Sequence, residues 1–446
     1  MRLLLTHGFF LSEDPKEQQV MRPYPPMGIL YLSAYLRSRG FDVDVYDSTW
    51  GSKQDLFSEL EHCPKVPHGP KGWLGVYGNL LTRANVLAIV ERARAWGWRV
   101  ILGGPEPCNY AEEYLDAGAD YIIQGEGELA IEQLLQGNAS PDGAIFRDDT
   151  GSVVRMPAAQ QVADLDSLPW PDRERIDLNR YLTAWRERHG VGSVSLITAR
   201  GCPYHCRWCS HSTFGKTHRR RSVPAVADEA EWILQRYQPE MLWYADDVFT
   251  IHTGWTLAYA AEMKRRGIRV PFECITRADR FSAPVADALA EMGCFRVWIG
   301  SESGSQKILD SMQRGVRVEA VREAVARAKS RGIQAGMFLM WGYEGEQLED
   351  IEQTVEHVQA CRPDVYLTTV SYPIKGTPYY EQVRDKLVRI GDWRTSPDRD
   401  VQVRGRHSRR YFQFADDLLR SSMDNDTARA AAARAGLAAT RAEVEA

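Results

Sequence analysis

From residue 191 to about 380 the sequence repeats one unit, a short apolar run followed by a helical pattern. The apolar runs are 194–197, 241–244, 272–275, 295–299, 336–340 and 365–370, and helical patterns fill 224–237, 254–266, 284–292, 318–331 and 347–360. Strands separated by crossovers of this length pair in parallel. Six consecutive units predict a partial (β/α)6 barrel, two strands short of the full TIM barrel. Chemistry in such barrels sits on the loops that follow the strands. Those loops are polar here: Ala245-Asp246-Asp247, Thr276-Arg277-Ala278-Asp279, Gly300-Ser301-Glu302-Ser303-Gly304-Ser305, Trp341-Gly342-Tyr343-Glu344-Gly345-Glu346 and Ser371-Tyr372-Pro373-Ile374-Lys375-Gly376. Any one of them reads as an ordinary surface loop; all of them on one rim read as a site.

The loop after the first run holds Cys202, Cys206 and Cys209 in Gly201-Cys202-Pro203-Tyr204-His205-Cys206-Arg207-Trp208-Cys209. Three thiolates at this spacing can hold three corners of a 4Fe–4S cube, which would leave the fourth iron open to a small chelating molecule. The competing reading is zinc or plain structure, although zinc usually takes four ligands in two close pairs. Eight cysteines in 446 residues, with no secretion signal at the start, fit a reducing cytosol rather than a disulfide framework. Cys63, Cys108, Cys274, Cys294 and Cys361 are scattered and read as small buried hydrophobes.

Residues 1–140 also alternate strand and helix, in a five-stranded, doubly wound α/β pattern of Rossmann type. Ligands of such sheets lie beyond the C-terminal ends of the strands. Those ends are Tyr77-Gly78-Asn79-Leu80, Gly103-Gly104-Pro105 and Gly125-Glu126-Gly127-Glu128. Glycine there lets the backbone approach a large ligand, but no GxGxxG opens a helix after the first strand, so a dinucleotide is a weak reading. Residues 141–190 read as a linker around Leu165-Asp166-Ser167-Leu168-Pro169-Trp170-Pro171. Residues 381–446 form a mostly helical C-terminal segment that could close the barrel mouth, with an alanine-rich end expected to be a frayed, solvated helix. A net charge of −5 gives no reason to expect a nucleic-acid partner, and no apolar run spans a bilayer.

The cysteine loop, with an aromatic residue before Cys209, resembles that of the radical S-adenosylmethionine (SAM) superfamily. The first domain, with Arg22-Pro23-Tyr24-Pro25-Pro26-Met27-Gly28 and the three glycine-rich strand ends, resembles the cobalamin-binding domain that precedes many radical SAM domains. Together they are similar to the cobalamin-dependent radical SAM enzymes, including the anaerobic tetrapyrrole ring cyclase group and related C-methyltransferases. The resemblance implies a 4Fe–4S cluster on Cys202, Cys206 and Cys209, with SAM and cobalamin as the other cofactors. It implies SAM contacts from Asp246 or Asp247 (ammonium), Arg277 (carboxylate), Glu302 (ribose or ammonium) and Ser303. Tyr77, Gly78, Asn79, Leu80, Gly103, Gly104, Gly125 and Glu126 are implied to contact cobalamin. Tyr372, with Tyr343, Glu344 and Lys375, would face substrate. The DxHxxG loop that supplies a cobalt-ligating histidine in many cobalamin proteins is absent; His7 stands near that place in Thr6-His7-Gly8-Phe9 without the aspartate, so cobalt is expected to lack a histidine lower ligand.

The implied activity is an oxygen-sensitive methyl transfer from SAM, through cobalamin, to a carbon radical of a small-molecule or biosynthetic-intermediate substrate. A cyclase, oxidase or rearrangement enzyme with the same cofactors is the alternative; a cobalamin-binding sensor or scaffold is the reading from another class, and a sensor needs no open iron. A cytoplasmic monomer reduced by flavodoxin or ferredoxin is expected.

Overall fold

In a computed structural model of the chain, residues 2–63, 71–211 and 213–445 are described. The first sheet contains β1 (Arg2–His7), β2 (Asp42–Val45), β3 (Trp73–Tyr77), β4 (Arg99–Gly103), β5 (Tyr121–Ile123), β6 (Ala144–Arg147) and β7 (Val153–Arg155). Their order is β2-β1-β3-β4-β5-β6-β7. The first five strands are parallel, whereas β6 and β7 add antiparallel to the β5 edge. The sheet is therefore two strands wider than the five-stranded pattern read from the sequence. Strands β6 and β7 are only 4 and 3 residues long, too short for their alternation to stand out among turn residues.

Helix Met27–Ser38 turns Ile29, Leu30, Tyr31, Tyr35 and Leu36 inward. Helix Arg83–Ala95 buries Val86, Leu87, Ile89, Val90 and Ala93. Separate apolar clusters on the two faces of the sheet, one around Leu4, Leu74, Val90 and Leu102, the other around Leu3, Leu5, Ile29 and Ile101, follow from the alternation of side chains along each strand.

The second sheet contains β8 (Ser193–Leu196), then after a small ribbon, β9 (Ala199–Arg200) with β10 (Arg219–Arg220), come β11 (Met241–Tyr244), β12 (Phe272–Thr276), β13 (Cys294–Glu302), β14 (Gln334–Trp341) and β15 (Val365–Val370). The order β15-β14-β13-β12-β11-β8 follows the sequence and every pair is parallel, the arrangement expected of a partial barrel. The strands between its two edges read as nearly continuous apolar runs because both faces are covered.

The C-terminal alanine-rich stretch departs from the expectation of a solvated helix. Helix Thr427–Thr440 packs along helix Arg409–Met423 and joins the barrel core through Ala430, Ala433 and Leu437. Its stripe is narrow because the partner helix supplies the bulk: a side chain at Gly436 would lie 2.4 Å from the Phe414 ring.

The segment between the barrel and this hairpin reaches back to the first sheet through a buried ionic cluster. Arg83 Nε donates to Glu106 at 2.7 Å and its Nη2 to Asp398 at 3.0 Å. Arg83 Nη1 donates to the carbonyls of Trp393 and Ser396. Arg83, Glu106 and Asp398 are all under 5% exposed. Removing one member of a buried ion pair strands the other in low dielectric, which costs about 3–5 kcal/mol. Arg83→Met is expected to lower the midpoint of urea unfolding by a corresponding amount; an unchanged midpoint would show that this cluster does not hold the C-terminal segment in place.

Candidate active site

The cysteine loop is an excursion, 201–218, whose base is closed by the β9–β10 ribbon, with Arg219 opposite Arg200 and Arg220 opposite Ala199. Gly201 has φ +86, and a Cβ there would lie 2.2 Å from the carbonyl oxygen of Thr217. Only glycine allows the chain to leave the strand this way. The arginines of the ribbon fix it on both sides. Arg220 meets Asp246 at 3.0 Å and Arg221 meets Glu229, both on the barrel. Arg200 meets Glu128 at 2.6 Å and Glu126 at 3.3 Å, and Arg219 also meets Glu126; Glu126 lies in the turn after β5 and Glu128 opens the helix that follows.

Cys206 is buried, with Arg277 Nη1 at 3.9 Å and Arg314 Nη1 at 3.8 Å from its Sγ. Burial, together with the charges of Cys206 and Cys202, pushes the Cys209 thiol up to about 12; burial also raises Cys202. Deprotonation of these two thiols therefore needs a compensating cation such as a metal ion. Among the described residues no three His, Cys, Asp or Glu side chains converge as ligands of one ion. A cube takes each cysteine on a separate iron, at wider spacing. The donor set fits a 4Fe–4S cluster.

The rim residues differ in what their side chains leave free. Asp246 is 2% exposed and accepts from the Thr198 and Ala199 amides, the Thr198 hydroxyl and Arg220. It holds the loop base. Asp247 is exposed in a cleft and has no partner among the described residues. Desolvation by the cleft walls and the neighbouring Asp246 charge raise its carboxyl. Arg277, expected to be open to a carboxylate, donates from Nε to Asp279 at 2.9 Å and from Nη2 to the Arg314 carbonyl at 3.0 Å, and lies 3.6 Å over the Tyr204 ring. Glu302 sits in the left-handed region at φ +57, a strained place for a side-chain-bearing residue, and accepts from Arg314 Nε at 3.1 Å. Ser303 is fully buried against Thr354.

Tyr372 is half-buried, and burial raises its phenol. Its neighbours take other partners: Tyr343 stacks on Tyr379, Glu344 meets Lys386 at 2.6 Å, and Lys375 Nζ lies 4.2 Å over the Tyr110 ring. Arg314 was missed by the sequence reading. It lies after a short helix with no motif around it, and only the folded chain brings it to Cys206.

A cavity of about 850 Å3 opens at the C-terminal ends of the first sheet, a size at the upper end for small-molecule sites. Tyr77, Asn79, Gly103, Gly104, Gly125 and Glu126 line it, together with Ile197, Arg200, Thr213 and Phe214 from around the cysteine loop. Gly78 and Leu80 are not among its lining residues. Gly78 donates its amide to the Gly103 carbonyl at 2.9 Å, and a Cβ on Gly104 would lie 2.3 Å from the Gly78 carbonyl oxygen. Gly103, by contrast, has nothing within 4 Å of a Cβ position, so its missing side chain is cavity space. Backbone bared along a broad, largely apolar wall fits a flat macrocycle such as a corrin.

Glu126 lines the cavity, but its carboxylate is held by Arg200, Arg219 and the Val162 amide. His7 also lines the cavity with both ring nitrogens engaged: Nδ1 accepts from the Phe9 amide at 3.2 Å, and Nε2 faces Asp47 at 3.2 Å. A recess of about 200 Å3 walled by Gly201, Ser210, His211 and Asp247 adjoins the cavity and shares Pro105, Thr213 and Phe214 with it.

Residues 19–135 match the B12-binding domain and residues 196–358 the radical SAM superfamily. An uncharacterized methyltransferase of Pyrococcus horikoshii is 26% identical over 86% of this chain and 84% of its own length. An anaerobic magnesium-protoporphyrin IX monomethyl ester cyclase of Synechocystis is 24% identical over 87% of this chain and 78% of its own. The fold is shared with the radical S-adenosylmethionine methyltransferase TsrM from Kitasatospora setae, solved with cobalamin and a 4Fe–4S cluster (TM-score 0.70, 20% identity, 86% of this chain and 74% of that one). Among the described residues no helix is long and apolar enough to cross a membrane. With a B12-binding domain and a radical SAM domain in one polypeptide, the chain belongs to the cobalamin-dependent radical SAM enzymes, whose cofactors are a 4Fe–4S cluster, SAM and cobalamin.

Proposed function

We propose that the enzyme transfers a methyl group from SAM to an unactivated carbon of a small-molecule substrate. The observation that carries this reading is the shared wall: Thr213 and Phe214 of the cysteine loop line both the large cavity and the recess beside it. A carbon activated at the loop would then lie next to whatever fills the cavity. When bound, the cluster with SAM supplies a hydrogen-abstracting radical and cobalamin supplies a methyl carrier.

The chain's own residues hold and orient. Cys202, Cys206 and Cys209 would ligate the cluster, and Arg277 and Arg314 lie beside the Cys206 sulfur. Asp247, free in the recess, receives the ammonium of SAM. Glu302, placed by its strained backbone at the end of β13, faces the ribose side while Arg314 fixes its carboxylate. Tyr77, Asn79 and the bared backbone of Gly103, Gly104 and Gly125 cradle the corrin. Tyr372 would face substrate. The domain division is proposed as 1–140, 141–190, 191–380 and 381–446. Since one chain lines both the cavity and the loop, a monomer suffices, with a reduced flavodoxin or ferredoxin as electron donor.

The cyclase relative favours a second reading, cyclisation with the same cofactors. Anaerobically reconstituted protein, given cobalamin, reductant and SAM without substrate, separates the two. S-adenosylhomocysteine is expected in step with bound cobalamin. Deoxyadenosine with no S-adenosylhomocysteine would place cyclisation first.

The open position at Gly103 gives a test of the cavity. Gly103→Phe is expected to weaken cobalamin binding at least about tenfold, since overfilling a packed space costs about 1–3 kcal/mol, while the unfolding midpoint stays put. Wild-type affinity in this variant would move the corrin elsewhere. The engaged nitrogens of His7 predict that His7→Ala leaves the electron paramagnetic resonance spectrum of bound cob(II)alamin unchanged. Nitrogen superhyperfine splitting that disappears in the variant would show that His7 binds cobalt.

A further inference from the structure

We infer that Glu126 is a positioning residue that registers the cysteine loop against the cavity, so that cobalamin binding and SAM binding reinforce each other. The inference rests on the functional reading above and goes beyond it in assigning the coupling element. Glu126 is 4% exposed, and its carboxylate bridges the two strands of the ribbon that closes the cysteine loop, through Arg200 at 3.3 Å and through Arg219. Glu128 reaches only one of these strands, through Arg200. A third donor to Glu126, the Val162 amide at 3.2 Å, fixes the same carboxylate to the chain that follows the first sheet.

The turn that carries Glu126 is also cavity wall: Gly125, Glu126, Gly127 and Glu128 all line it. Arg200 lies between the Tyr31 and Phe214 rings, at 5.4 and 5.5 Å, and both rings line the cavity too. On its other side the ribbon is fixed to the barrel by Arg220 and Asp246. A buried, fully paired carboxylate cannot turn without stranding its partners. A ligand that presses on or orders the 125–128 turn therefore orders the base of the cysteine loop as well. Ordering one site in advance lowers the cost of binding at the other, and the effect must be reciprocal.

The test is the dissociation constant of SAM, measured by equilibrium dialysis on protein carrying its full cluster, with and without saturating cobalamin. In the wild type cobalamin is expected to tighten SAM at least about fivefold, the lower end of ordinary coupling energies. Glu126→Gln, which keeps the shape and removes the charge, is expected to bind both ligands with that ratio near one. Glu126→Asp, which restores the charge, is expected to recover part of it. A wild-type ratio of one, or a full ratio in Glu126→Gln, overturns the inference. If Glu126→Gln loses its iron, with or without its cobalamin, Arg219→Lys, which leaves the cavity lining intact, decides by the same ratio. Wild-type protein that takes up no cobalamin or no SAM would defeat the functional reading itself, a result distinct from a ratio of one.

Discussion

Four charged side chains tie the two sheets together at the base of the cysteine loop. Glu126 and Glu128, at the C-terminal end of the first sheet, meet Arg200 and Arg219, on the two strands that frame the cysteine loop. All four are largely out of solvent. Burying carboxylates and guanidiniums is costly unless each finds a full set of partners. That requirement makes the contact specific, since a shift that uncoupled one pair would leave charges bare in low dielectric. The cavity and the cysteine loop therefore have one relative placement that satisfies the charges between them.

The rest of the site extends from this junction. The ribbon that receives the glutamates continues into Arg220 and Arg221, which face the barrel acids Asp246 and Glu229. From the far side, Arg277 and Arg314 approach the Cys206 sulfur, and Glu302 holds Arg314. Charged pairs thus flank the cysteine loop on both sides, one set at its base and the other at the ends of β12 and β13. Acids expected to touch ligands are partly consumed in it: Asp246 and Glu126 are structural partners, which leaves Asp247 as the acid open to the recess.

The C-terminal segment makes a second junction. Asp398, buried with Arg83 and Glu106, brings residues 393–400 against the first sheet, and Arg399 beside it lines the cavity. The alanine-rich helix packs on the barrel through a partner helix that carries aromatic and leucine residues. Its own composition gave no sign of this, because a narrow stripe of small residues is enough when the opposite face is large.

Strand and helix order, the parallel pairing of the barrel sheet and of the first five strands of the other sheet, and the three-cysteine loop were legible in the sequence, because each depends on local periodicity or on ligands close together in the chain. Strands β6 and β7 were not, being too short for alternation to register. The division of labour among the polar residues was also not legible. A motif such as Gly125-Glu126-Gly127-Glu128 says that charge and bare backbone occur together; it does not say which atoms face a ligand and which face another arginine. Arg314 and Arg200 reach the site across 108 and 72–74 residues of chain. The sequence by itself determined the two α/β units and the chemistry of the cluster loop. Only the tertiary structure decided which charges pair with one another and which stay open, because that choice is made by desolvation when distant segments close on the same volume.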